Sequence, residues 1–255
     1  MLLTDTHTHL YYEIDPLKQK ALMDRCLESG VGRLFLPNVN VDSLAMIDSL
    51  VAAYPANCFA MAGLHPCEVK ADYQQQLDAI FKTIAGRQIY AIGEIGIDLY
   101  WDKSTLAAQQ DAFKQQISWA KALGLPIVIH CREAFDEVFE VLDEARDEKL
   151  RGIFHCFTGD VQQAERAIDL GFYLGIGGVV TYKKAGLDHV LSQISLRHIV
   201  LETDSPYLAP VPFRGKPNES SYLTYIAQKV AEIYNIPIAE VAEITTENSR
   251  GVFGV

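Results

Sequence analysis

The stretch LTDTHTHL at residues 2–9 sets His7 and His9 one residue apart beside Asp5. On a helix two such side chains point roughly 200° apart, but on a strand residues i, i+2 and i+4 share a face. The spacing therefore predicts a strand that turns Asp5, His7 and His9 the same way. Imidazole with carboxylate is a donor set for Zn²⁺, Mn²⁺ or Fe²⁺, and with several waters for Mg²⁺, whereas Ca²⁺ asks for oxygen alone.

Those donors need a scaffold. Short runs rich in Val, Ile and Leu, read as strands near 2–7, 33–37, 58–63, 89–95, 126–130, 152–155, 172–176 and 198–203, alternate with amphipathic stretches. DPLKQKALMDRCLESG, with Pro16 in its first turn, and AAQQDAFKQQISWAKALG, closed by Gly124, read as helices. Eight strand–helix units in 255 residues predict a single (β/α)₈ TIM barrel spanning residues 1–255, with PIAEVAEITTENSRGVF as a last helix closing against it. The glycines of GFYLGIGGVV lack dinucleotide-fingerprint spacing; Gly175, Gly177 and Gly178 are expected to let the backbone turn closely around strand seven.

On this layout His7 and His9 fall at the end of strand one, His65 after strand three, Glu94 at strand four, His130 at five, His155 at six and Asp204 at eight. That is the carboxyl end of every strand, where such barrels carry their chemistry. Taken alone, the histidine of PIVIH or GIFH reads as a hydrogen-bonded core residue. Together, unpartnered imidazoles and carboxylates at one mouth would suffer desolvation and repulsion that a divalent cation removes. Six ligands exceed what one catalytic ion with an open position accepts; two ions sharing a bridging carboxylate fit better, as in phosphoryl hydrolysis. His189 and His198 read as structural.

Composition narrows the classes. The 49% hydrophobic and 22% charged fractions are those of a globular chain. The first residues lack a signal peptide's basic and apolar regions, and no run of about 18 apolar residues offers a membrane span, so the cytoplasm is expected. Five cysteines without a C-x-x-C pair point to reduced thiols. A net charge of −11 counts against a sequence-reading nucleic-acid binder, though bound cations can invert the field locally.

The ordered segments DTHTHL, GLHP, GEIGIDLYW, IVIHCR, FHCFTG, LETDSPYLAP and RGKPNE run through nearly the whole chain. In this set the chain resembles the TatD-related metal-dependent deoxyribonucleases, a branch of the amidohydrolase-like barrel hydrolases. The resemblance implies that His7, His9, Glu94 and Asp204 hold one ion and that Glu94, His130 and His155 hold a second, with Glu94 bridging where related enzymes use a carboxylated lysine. It also implies that His65 stands near the substrate phosphate. The chain departs from the family at NES (218–220), usually Asn-Glu-Pro, and at Leu99, usually aromatic; both bear on substrate preference.

The chemistry expected is phosphodiester hydrolysis by a metal-activated water at two divalent ions (Mg²⁺, Mn²⁺ or Zn²⁺). Asp204 would orient the water and take its proton, Glu94 would bridge, and His65 would stabilise phosphate charge. Asp5 and Glu202 are expected to orient ligands. Arg132 and Arg214 are the expected substrate contacts, with Lys183, Lys184 and Lys216 on the same rim. Tyr100, Trp101 and Tyr207 could stack on bases of a frayed strand. The partner would be DNA, trimmed from single-stranded or frayed ends, acted on by a monomer without membrane or obligate protein partner. Two other classes stay open: an amide or ester hydrolase acting on a small molecule or aminoacyl-tRNA, and a non-enzymatic scaffold.

Overall fold

A computed structural model describes all 255 residues. Eight parallel strands alternate with helices: β1 (Leu3–Asp5), α1 (Pro16–Glu28), β2 (Val31–Leu36), α2 (Ser43–Ala53), β3 (Cys58–Ala60), α3 (Tyr73–Ile84), β4 (Ile92–Asp98) and α4 (Leu106–Leu123). The second half adds β5 (Ile127–Arg132), α5 (Phe135–Glu144), β6 (Gly152–Phe154), α6 (Val161–Asp169), β7 (Phe172–Ile176), α7 (Leu187–Gln193), β8 (Ile199–Leu201), α8 (Leu223–Tyr234) and α9 (Ile238–Phe253). Helix α1 starts where Asp15 accepts from the N–H groups of Leu17 and Lys18 ahead of Pro16, which satisfies two otherwise orphaned donors.

The strands pair in the order β1-β2-β3 and β4 through β8. Bridges Ala62–Ile92 and Thr8–Ser205 join the two arcs, closing the (β/α)₈ barrel. Alternation sorts the side chains. Ile127 and Ile129 face the helices in the main core, while Phe35, Met61, Val128, Ile153 and Val200 pack inside the barrel. The end of α9 plugs the lower interior, where the Phe253 ring stacks on Phe35 at 3.7 Å. The expected closing role of the last helix is thus met.

Strand β4 corrects one sequence-based expectation. Instead of ending near Glu94, it runs on to Asp98, so Glu94 is third of seven wholly buried residues. Pairing with β5 skips Glu94: Gly93 faces Val128 and Ile95 faces Ile129. A bulge there re-aims one side chain, which brings Glu94 to the barrel axis from within the strand. Further along, Gly96 faces His130 and Asp98 faces Arg132, so Glu94, Asp98, His130 and Arg132 rise in sequence on the inner face.

Candidate metal centre

Glu94, 2% exposed, divides its carboxylate between two groups of imidazoles. Its Oε2 lies 3.1 Å from His7 Nε2 and 3.8 Å from His9 Nε2. Its Oε1 lies 2.8 Å from His130 Nδ1 and 3.2 Å from both His65 Nε2 and His155 Nε2. Asp204 Oδ1 completes the first side, 3.4 Å from His9 Nε2 and 3.8 Å from His7 Nε2. All seven sequence-predicted site residues other than the arginines meet here.

The outer nitrogens of the rings decide their chemistry. His155 Nδ1 is 3.1 Å from Glu202 Oε1, and a carboxylate can only accept, so Nδ1 carries a proton and Nε2 is the nitrogen turned toward Glu94 for a metal ion to claim. His130 Nε2 is likewise held by Asp98 Oδ2 at 2.8 Å, while its Nδ1 donates to Glu94 Oε1 at 2.8 Å, so Nδ1 is the inward nitrogen whose proton a metal ion would displace. His9 Nδ1 meets the Tyr11 hydroxyl at 2.8 Å, and that hydroxyl donates to the Pro37 carbonyl, so again Nδ1 carries the proton. His7 has no hydrogen-bond partner on either buried nitrogen: its Nε2 is close to Glu94 without the alignment of a bond. Inward imidazole nitrogens among two carboxylates, once their protons are displaced, are the donor set a divalent cation requires.

His65 has the opposite tautomer. The Cys67 backbone N–H donates to its Nδ1 at 3.0 Å, which places the ring proton on Nε2. His65 therefore presents a donor beside Glu94, although its position groups it with Glu94 and His130. This is the arrangement expected of a group that donates to substrate.

Electrostatics agree with a site built for cations. Burial alone would raise the Glu94 carboxyl, but His65, His155 and His7 together hold it well below the usual range. Burial raises Asp204 too, and the His9 hydrogen bond with nearby imidazoles outweighs it, leaving a net downward shift. His155 is driven well above, and His130 above, the ordinary imidazole value: burial opposes this, but Glu94 with Glu202 or Asp98 prevails. His7 moves down because of burial and the neighbouring His155, whose ring stacks on it at 3.7 Å.

The loop after β8 is stitched to β1. Asp204 adopts φ 55°, unusual outside glycine. It is held by its N–H to the His7 carbonyl at 2.9 Å and by the Tyr207 N–H to its own carbonyl at 2.8 Å. Asn218, the first residue of NES, donates to the carbonyls of Thr203 and Tyr207 at 2.7 Å each. The family departure at Ser220 therefore leaves this brace in place.

Glu202 holds the His155 ring, as expected of a residue that orients a candidate ligand; Asp5 holds no ring. Strand β1 ends at Asp5, alternation stops there, and the carboxylate accepts from the Thr203 N–H at 2.9 Å and hydroxyl at 2.6 Å and from the His7 backbone N–H at 3.3 Å. It fixes the backbone under His7, and no imidazole reaches it. Close approach explains Gly175 and Gly178, where an added Cβ would lie 2.3 Å from Glu202 Oε2 and 2.1 Å from the Leu208 carbonyl. Gly177 has no neighbour nearer than 3.7 Å, so that expectation fails for it. Asp98 and Tyr11 were missed. The signal for Asp98 was its even spacing from Glu94; a tyrosine two residues past His9 carried none.

Arg132 lies outside the ligand cluster, with its guanidinium carbon 3.8 Å from the Tyr100 ring centroid. Arg214 rests on Tyr182 at 4.3 Å, and Lys183 and Lys184 are exposed nearby in sequence. His189 is exposed and His198 half-buried, both away from the cluster. All five cysteines are free. No helix is long and apolar enough to cross a membrane.

The family model described as TatD related DNase matches residues 4–254. A Bacillus subtilis protein named as the uncharacterized metal-dependent hydrolase YabD is 36% identical over 255 residues, with 100% of both chains covered. A Yersinia pseudotuberculosis protein named 3'-5' ssDNA/RNA exonuclease TatD is 33% identical, covering 91% of this chain and 92% of its own. Among solved structures, YjjV, a TatD homolog from Escherichia coli K12, superposes with a TM-score of 0.93 at 28% identity, covering 99% and 98% of the two chains.

Proposed function

The chain belongs to the TatD-related DNase family of metal-dependent hydrolases, and from that premise we propose that it hydrolyses phosphodiester bonds in DNA, trimming single-stranded or frayed ends at a pair of divalent ions. The observation that carries the reading is the divided Glu94 carboxylate, with imidazole nitrogens turned toward each oxygen. His7, His9, Asp204 and Glu94 would hold one ion, and Glu94, His130 and His155 the other; Mg²⁺, Mn²⁺ and Zn²⁺ all suit these donors. Bound there, such ions supply a water of lowered pKa and positive charge against phosphate oxygens.

The chain's own groups divide the remaining work. Asp204, ionised near neutrality, orients the attacking water and accepts its proton. Glu94 keeps the two halves of the centre in register. His65 donates from Nε2 to a phosphate oxygen as charge develops on it. Arg132 and Arg214 offer guanidinium donors to the strand outside the mouth. The end-directed activity draws support from the exonuclease name of the Yersinia relative. DNA in the cytoplasm, met by a monomer without an obligate protein partner, is the setting the reading implies.

The test uses metal-stripped protein reloaded in turn with Mg²⁺, Mn²⁺ and Zn²⁺. Substrates are end-labelled single- and double-stranded DNA, RNA, and a panel of esters and amides. Metal-dependent loss of nucleotides that disappears in Glu94→Ala and His155→Ala is expected. Hydrolysis of carbonyl substrates alone would replace the nuclease with an amide or ester hydrolase, and inactivity with every ion would leave a scaffold.

A further inference from the structure

Beyond the ligands, β4 leads directly into two large exposed rings, Tyr100 at 49% and Trp101 at 71% exposure. Large apolar rings left in water are surfaces for something to cover. Asp98 fixes their position: Oδ1 accepts from the backbone N–H of Tyr100 at 3.0 Å and of Trp101 at 3.2 Å. Its other oxygen holds His130. One carboxylate therefore ties a candidate metal ligand to the aromatic turn, and the Leu99 N–H to the Arg132 carbonyl, 3.0 Å, locks that turn to β5.

Arg132 adds the charge. Its guanidinium lies 3.8 Å from the Tyr100 centroid and 5.7 Å from that of Trp101, and the two rings meet edge to face at 4.9 Å. Arg25, Arg87, Arg166 and Arg250 each pair with a carboxylate, whereas Arg132, like Arg33, Arg146, Arg151, Arg197 and Arg214, forms no ion pair, in a chain of net charge −11. A guanidinium seated over a ring, with no carboxylate partner, is available to an anion.

We propose that Trp101, together with Arg132 seated on Tyr100, forms a nucleotide subsite beside the metal centre: a base stacks on Trp101 and its phosphate meets Arg132. The subsite deepens the nuclease reading and rests on it. Stacking accepts every base because each has a π face, so the subsite grips single-stranded substrate without reading sequence. A base paired within a duplex does not offer its face to Trp101, which gives preference for unpaired ends.

The experiment compares a short oligothymidylate with the same chain abasic at its terminal positions. The ratio of their kcat/KM values is expected to fall about tenfold in Trp101→Ala and to be largely kept in Trp101→Phe. An unchanged ratio in a DNA-cleaving protein overturns the subsite and leaves the nuclease standing. A second measurement does not depend on turnover. In Trp119→Phe protein, Trp101 is the sole tryptophan, and its fluorescence is titrated in Mg²⁺ with phosphorothioate oligothymidylate and its abasic counterpart. Quenching by the base-bearing chain alone supports the subsite even if no DNA is cleaved, in which case only the reaction falls. Absence of quenching, or equal quenching by both, overturns it. As Trp101 is largely exposed, its variants are expected to fold normally.

Discussion

Asp98 Oδ2 lies 2.8 Å from His130 Nε2, on the side of the ring opposite Glu94. Burial raises the Asp98 carboxyl, but the His130 hydrogen bond and the backbone N–H groups of Trp101 and Tyr100 bring it down to about 2, so the acceptor is always ionised at neutral pH. It orients the ring and holds the Nε2 proton, so that Nδ1, 2.8 Å from Glu94 Oε1, is the nitrogen turned toward the metal centre. In Asp98→Asn an amide can offer a donor instead, and the tautomer is no longer imposed. Removal of such supports costs about 10–100-fold in metal affinity. Calorimetric titration should show one of two metal equivalents weakened by that amount, and ¹⁵N spectra should show the His130 tautomer altered. An unchanged tautomer would reduce Asp98 to a loop brace.

Protons and metal compete for the same lone pairs. In the metal-free protein His130 and His155 sit above the ordinary imidazole pKa, carried there by Glu94, Glu202 and Asp98 against the effect of burial. A folded-state pKa above the unfolded one gives stability that is fully present below about 6.5 and lost as pH rises through the raised values. Metal affinity runs the other way and falls as pH drops, because the ion held by Glu94, His130 and His155 must displace these protons. Titrations in buffers of different ionisation enthalpy should register proton release at pH 7, increasing toward pH 6. Binding without proton release would contradict the assigned ligands.

Asp5 titrates for a different reason. Burial is the largest effect and lifts its carboxyl from 3.8 to about 7, against hydrogen bonds from Thr203, Ser220 and His7 that lower it. The native state then binds more protons than the unfolded chain between about pH 4 and 7, so this group's contribution declines as pH rises across that window, by at most about 4 kcal/mol. Asp5→Asn keeps acceptor and donor for Thr203 without a charge. Urea unfolding of the metal-free protein should show a shallower fall of stability across that window than in the unsubstituted chain. Identical pH slopes would mean that Asp5 is not buried as an acid.

The barrel was legible because eight apolar runs and their helices repeat along the whole chain, and strand ends follow from that rhythm. The candidate site was legible because histidines are rare and fell at those ends. Glu94 was identified but misplaced within its strand, since a bulge adds a residue without changing composition, and the strand's continuation to Asp98 looked like a loop. Tautomers were invisible: they depend on Glu202, Asp98, Tyr11 and the Cys67 backbone, partners brought in by the closed barrel or by local turns. Asp5 was misread because period-two alternation was carried past the point where β1 stops.

Gly175 and Gly178 separate site from scaffold. At Gly175 a methyl group would meet Glu202 Oε2 at 2.3 Å and the His155 Cα at 3.2 Å. The nearer atom ends a side chain that can swing, but swinging withdraws Oε1 from His155 Nδ1, 3.1 Å away. At Gly178 the methyl would meet the Leu208 carbonyl oxygen at 2.1 Å and the Pro210 nitrogen at 3.0 Å, and backbone cannot swing aside. Overpacking of that kind costs about 1–3 kcal/mol. Gly178→Ala should therefore lower the Tm of metal-free protein more than Gly175→Ala does. Gly175→Ala should instead lose more of the Tm gain on adding metal, because its damage falls on the orientation of a ligand ring. Thermal scans with and without Mn²⁺ give both numbers for each variant. If Gly175→Ala kept the full metal-induced gain, Glu202 would not be holding His155 for a metal ion.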